Sequence, residues 1–177
     1  MRECFALSRM LCAAVLVLGV SFAAGAVDVW KEVRSSEGGF TAVFPADPKI
    51  RTEAPDLSGG VANVYLAELG KTAYEVSYTD YPVGTFAGRS VDAIFNLARD
   101  DLVKDQPVKL LADRKITLGD RPGREVVFAE QDGYTQAYRF FVVKDRIYAV
   151  IAGGPAGSEK SAEAKRFLES FRLVVGK

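Results

Sequence analysis

The 177-residue chain contains no histidine, and its two cysteines, Cys4 and Cys12, fall in an N-terminal segment laid out like a secretory signal. Beyond that segment the sequence offers neither imidazole nor thiol. This removes the commonest general base, the soft metal ligands and any disulfide from the remainder of the chain. An excess of either charge is also lacking, since 23 Lys and Arg balance 23 Asp and Glu. No run of Lys or Arg is longer than two residues. A nucleic-acid or anionic-membrane footprint is therefore not expected. Internal repeats and low-complexity linkers are missing as well, so residues 27–177 read as a single domain.

The N-terminal segment follows the plan of a signal peptide. Arg2 and Arg9 supply positive charge, and Leu11 to Phe22 forms an apolar stretch. That stretch is short for a bilayer span, which takes about 20 residues. Ala24-Gly25-Ala26 provides the small residues a signal peptidase reads. Cleavage is expected after Ala26, leaving a periplasmic or secreted protein; an uncleaved anchor is the alternative, and the only expected contact with a membrane. A cysteine-free exported domain fits a bacterial envelope better than a small disulfide-dense secreted domain.

Further along, hydrophobic periodicity predicts a hairpin from Val29–Arg34 and Phe40–Phe44, ended by Pro45 and Pro48. The polar stretch 51–60 reads as an exposed loop or irregular edge. Val61–Leu69 and Ala73–Tyr81 are expected strands around Gly70-Lys71. Ser90 then opens a helix whose Val91, Ile94, Phe95, Ala98 and Leu102 make one apolar stripe, stopped by Gln106-Pro107. A meander follows: Lys109–Leu118, a turn over 119–123, Arg124–Glu130, Thr135–Val143 and Arg146–Ala152. A second helix is expected from Ser158, as N-cap, to about Ser170, and Leu173–Val175 as a terminal strand.

The turns also predict a register. Taking Asp132-Gly133 as a two-residue turn pairs Gln131 with Tyr134, and the next turn pairs Val143 with Arg146. One face then carries Glu125, Val127, Ala129, Tyr138, Phe140, Val142, Ile147, Ala149 and Ile151. The other carries Val126, Phe128, Ala137, Phe141, Tyr148 and Val150, with Arg124 and Arg139. Both faces are apolar, so both need a cover. The expected fold class is α+β, an antiparallel sheet of about six or more strands covered by two amphipathic helices.

Gly39-Phe40-Thr41-Ala42-Val43-Phe44-Pro45, with the order of elements after it and the closing Phe167-Leu168-Glu169-Ser170-Phe171, resembles PsbP-like and DcrB-like envelope proteins. That resemblance implies the PsbP-like fold and a largely non-enzymatic family of extrinsic photosystem subunits, adaptors and envelope proteins. Photosystem members use a histidine in metal contacts, which this chain lacks.

Candidate chemistry is sparse, and no catalytic residue, metal ligand or cofactor is expected. Gly154-Pro155-Ala156-Gly157-Ser158-Glu159-Lys160-Ser161 resembles a Walker A loop, but Glu159 stands where a glycine should approach phosphate. Asp80, Asp92, Asp100, Asp101, Asp120, Glu130 and Asp132 read as solvated carboxylates. Glu125 and Arg139, charges on a sheet face, must pair, snorkel to an edge or serve as ligand-binding groups. Tyr74, Tyr78 and Tyr81 read as core or as an aromatic surface for a partner. The expected function is an exported non-enzymatic domain that binds a protein partner or assembles in the envelope. The alternative is a carrier of a small apolar or anionic ligand between sheet and helix.

Overall fold

The structure, a computed structural model, describes residues 30–174 apart from positions 57, 105 and 106. The expected signal segment 1–26, its cleavage site at Ala26, the helix stop at Gln106 and the strand end at Val175 lie outside the described residues. Ten strands occur among those residues: β1 (Lys31–Ser35), β2 (Phe40–Phe44), β3 (Lys49–Thr52), β4 (Val61–Leu69), β5 (Thr72–Asp80), β6 (Lys109–Leu118), β7 (Arg121–Ala129), β8 (Tyr134–Val143), β9 (Arg146–Pro155) and β10 (Arg172–Leu173). Helix α1 (Val91–Val103) lies between β5 and β6, and α2 (Ala162–Ser170) follows a 3-10 turn at Ser158–Lys160. No helix among the described residues is long and apolar enough to cross a membrane.

Seven strands form one antiparallel sheet in the order β3-β4-β5-β9-β8-β7-β6. The other three, β1-β2-β10, make a separate small sheet. Tyr74, Val76 and Tyr78 of β5 and Tyr148, Val150 and Ala152 of β9 point to one face of the large sheet. There they pack with Phe40, Ala42 and Phe44 of the small sheet and Phe167, Leu168 and Phe171 around α2. Phe95 of α1 covers the opposite face with Val126, Phe128 and Phe140. The two-face cover is thus as expected, with one helix to each face and the small sheet added beside α2.

Both helices are capped by serine hydroxyls that accept an orphan backbone N–H. Ser90 caps α1, accepting from Ala93 N at 3.2 Å, as the sequence predicts. At α2 the cap is Ser161, accepting from Ala164 N at 3.1 Å. The expected helix start at Ser158 is corrected by this cap, because residues 158–160 wind as a 3-10 turn behind Gly157, at φ 93°. Three further expectations are corrected. The region expected to be irregular from 51 contains the end of β3, which pairs with β4. The turn expected over 119–123 closes at Gly119-Asp120, and β7 begins at Arg121. Gly123 consequently sits inside a strand, where an added Cβ would lie 2.5 Å from the Phe141 ring.

The fourth correction is one of register. Glu130 N donates to Tyr134 O at 2.8 Å, and Gly133 N to Glu130 O at 3.1 Å. Gln131-Asp132-Gly133 is therefore a three-residue loop with Gly133 at φ 84°, the conformation that glycine adopts without a side-chain clash. Ala129 pairs with Thr135, and Glu125 with Arg139 instead of with Phe140. A one-residue slip exchanges the faces of a whole strand. Val127 and Glu125 share a face with Ala137, Arg139 and Phe141, whereas Val126 and Phe128 share the other with Tyr138 and Phe140. The expected register of β8 on β9 holds, with Val143 opposite Arg146.

Candidate binding groove

The corrected register assembles a charged row. Arg114 of β6 stands opposite Glu125 of β7, and Glu125 opposite Arg139 of β8. Glu125 is 3% exposed. An ionised carboxylate at that depth needs partners, and it has two guanidinium groups. Arg139 Nε donates to Glu125 Oε2 at 2.7 Å, and Arg114 Nη2 donates to Oε1. The pairing is unequal at its ends, since the Arg114 side chain is 65% exposed and that of Arg139 only 20%.

Arg139 lies where two cavities meet, one of about 400 Å³ and the other of about 440 Å³. The first is bounded by Ala112, Val127 and Ala137 on the sheet, and by Lys165 and Leu168 of α2. The second is bounded by Ile116, Leu118 and Phe141, and by Leu168, Phe171 and Arg172. Together they form a groove between α2 and the outer strands β6, β7 and β8, because the small sheet covers the other half of this face. Since Arg139 is held to Glu125 through Nε, its terminal nitrogens carry no partner among the described residues. A guanidinium presented in this way suits two-point recognition of a carboxylate or another oxyanion.

Glu159 closes one end of the groove. It is 8% exposed, and its Oε2 accepts from Thr135 Oγ1 at 2.5 Å. Burial pushes its carboxyl upward, but the Thr135 hydroxyl, the backbone N–H groups of Glu159 and Gly157, and Lys160 together hold it below its ordinary value. Glu159, the residue that departs from a Walker pattern, is thus an internal fastening of the loop to β8. Its carboxylate takes up the Thr135 hydroxyl and the loop's own N–H groups at Gly157 and Glu159.

The expected binding residues separate. Glu125 and Arg139 meet in the groove. Tyr74 and Tyr78 are 2% and 1% exposed, packed inside the core, so they form no surface for a partner. Tyr81 is half-buried and stacks edge-on with Phe86 at 5.1 Å, remote in sequence from the groove strands. Three of the other carboxylates are paired with cations, while Glu130 accepts from Gln136 and Asp132 from the Tyr134 backbone N–H. Asp80 bonds Arg146, Asp92 bonds Lys115, and Asp100 bonds Arg99. Arg114 and Lys165 escaped the sequence reading, and Leu168 was read only as part of the apolar face of the second helix. The tight Gly119-Asp120 turn is the signal that would have found Arg114, because it sets that residue opposite Glu125.

Comparison with solved structures supports the fold. The chain superposes on the solution structure of cyanobacterial PsbP (CyanoP) from Synechocystis sp. PCC 6803 with a TM-score of 0.58, at 10% identity, over 88% of this chain and 98% of that one. A Bacteroides thetaiotaomicron crystal structure aligns with a TM-score of 0.46 at 14% identity, over 81% of this chain and 48% of that one. No protein-family model matches the chain, and no curated protein matches it significantly. The fold is PsbP-like.

Proposed function

We propose that this PsbP-like chain is an exported, non-enzymatic domain that binds a protein partner in the cell envelope through the groove between α2 and β6–β8. One observation carries the reading. Arg139 is fixed through Nε by the buried Glu125, and it lines both cavities. The buried core aromatics leave this groove as the better seat for a partner. Its two buried carboxylates, Glu125 and Glu159, are each held by hydrogen bonds, which suits recognition more than proton transfer.

Site-specific photocrosslinking in the envelope tests the reading. A crosslinker at Leu111 or Lys165, on the groove, should give a discrete adduct that Arg139→Ala and Arg139→Lys both abolish. A crosslinker at Leu97, exposed on α1, should give none. Equal adducts from both positions, or adducts indifferent to Arg139, would overturn it.

The cavity volumes favour a second reading. Volumes of about 400 and 440 Å³ lie in the range of small-molecule sites, roughly 300–1,000 Å³. A small amphiphilic anion would place its charge on Arg139 and its apolar part against Val127, Ala137 and Leu168. Native mass spectrometry of the protein from its own envelope fraction separates the two. An added mass of a few hundred daltons supports the carrier, and a bare mass the partner-binding domain. The same spectrum reports whether the chain begins at Val27.

A further inference from the structure

We propose that the partner enters as an extended segment that adds an eighth strand to the free edge of β6, with an acidic side chain opposite Arg114. This rests on the reading of the groove as the binding site, and it specifies the chemistry of what binds there.

β6 is the outermost strand of the seven-stranded sheet, and β7 is the single described strand that pairs with it. An edge strand presents unpaired N–H and C=O groups along its outer side, the usual template for strand addition. A bulge interrupts the ladder between Leu110 and Ala112 and leaves a regular stretch from Ala112 to Leu118. Residues 111–118 of this strand line the two cavities in sequence, Leu111, Ala112 and Arg114 the first and Ile116, Thr117 and Leu118 the second. At 3.4 Å per residue the groove follows β6 for about 24 Å. A strand added at this edge runs along the outer rim of the groove, its inward side chains continuing the floor that Ala112, Arg114 and Ile116 form.

The rows that cross the sheet give the sequence of the occupant. Arg139, Glu125 and Arg114 alternate positive, negative, positive from β8 outward to β6. The row ends on Arg114, the most exposed of the three side chains. Opposite charges on neighbouring strands attract and like charges repel, so the next strand continues the row with Asp or Glu. Two residues to one side, Ala112, Val127 and Ala137 form an apolar row. Two residues to the other side, Ile116, Gly123 and Phe141 form a second. The complementary segment is therefore apolar, any residue, acidic, any residue, apolar. The walls agree in charge. Lys160, Lys165 and Arg172 join Arg114 and Arg139, so five cations stand against three carboxylates, Glu125, Glu159 and Glu169. The groove is thus positive on a chain whose formal net charge is zero.

Amide-shift mapping on the ¹⁵N-labelled protein tests the proposal. The probe is a capped peptide, Ser-Thr-Val-Thr-Glu-Thr-Val-Thr, with three controls: its Glu-to-Lys version, its version N-methylated at alternate residues, and dodecanoate. The expected result is saturable shifts concentrated on 112–118, at least fivefold weaker binding of the Lys peptide, and loss of binding on N-methylation. Arg114→Ala, at an exposed position, should bring the Glu and Lys peptides to within twofold of each other. Equal binding of the N-methylated peptide, or peptide shifts centred on β3, overturns strand addition. Dodecanoate shifting Val127 and Ala137 while the peptide shifts nothing overturns strand addition and leaves the groove as a small-ligand site. Silence from every probe overturns both the added strand and the groove.

Discussion

Arg146 holds both oxygens of Asp80, at 2.6 and 2.7 Å, while its guanidinium carbon lies 4.4 Å from the centre of the Tyr78 ring. The ion pair closes the last register position between β5 and β9. The same guanidinium donates to Glu37 O at 3.0 Å and so ties the large sheet to the β1–β2 turn. A planar, forked cation can do all of this at once, and an ammonium cannot. Asp80 is nearly half exposed, which weakens the ionic part through solvent screening. Arg146→Lys is expected to destabilise the fold by about 1–2 kcal/mol. Urea unfolding checks it: the midpoint should fall with an unchanged slope, and a variant as stable as the parent would contradict the tie.

Glu125 is the residue whose removal should be felt most among the groove charges. Glu125→Ala leaves Arg139 partly buried without its counter-ion and should cost about 3 kcal/mol. Arg114, being largely exposed, can turn to water. Replacing Glu125 and Arg139 together by methionine should restore stability to within about 1 kcal/mol of the parent, since no uncompensated charge stays behind. A full double-mutant cycle measures the coupling, and additive losses would mean that the two groups do not interact.

Acid should act through Asp113 on the opposite face. Its carboxyl is held down to about 2 by the hydrogen bond from Arg124, against burial, with Arg99 assisting at 2.8 Å. The folded value is depressed below the ordinary 3.8. The contribution is thus complete above pH 3.8 and lost as pH falls towards 2. Its size is about 2 kcal/mol. Asp113→Asn should be less stable at pH 6 and lose less between pH 4 and pH 2. Parallel acid limbs for parent and variant in a denaturant series would refute the assignment.

Two serines distinguish the observed start of α2 from the one expected by sequence. Ser161→Ala removes the acceptor for Ala164 N and should cost about 1 kcal/mol. Ser158→Ala lies in the 3-10 turn, outside the cap, and should cost less than about 0.5 kcal/mol. Thermal unfolding of the two variants gives the ranking directly, and the reverse order would place the helix start at Ser158.

The elements legible from sequence were those with a complete local signal. The α1 stripe and its Ser90 cap, the alternation of Tyr74, Val76 and Tyr78, and the glycines of the turns each act within a few residues, so the PsbP-like order of elements could be read. The groove was only half legible. Glu125 and Arg139 stood out as charges among apolar neighbours. Their pairing was missed because the loop at Gln131-Asp132-Gly133 counts three residues, and Asp-Gly suits a two-residue turn equally well. One residue of slip, a difference of backbone hydrogen bonding at a single loop, reverses which side chains of β7 meet those of β8. The tyrosines show the same limit, since aromatic residues of a strand look alike in sequence whether they face a core or a partner.

By itself the sequence determined which chemistries were lacking, namely imidazole and, past its first residues, thiol, together with the amphipathic period of each element, because composition and local periodicity are properties of the chain alone. Tertiary structure decided the register of β7 on β8, the choice of Ser161 as cap, the burial of Tyr74 and Tyr78 and the opening beside Arg139. Each of these depends on contacts between residues far apart in the chain, and several local arrangements of nearly equal free energy are resolved only when the faces pack.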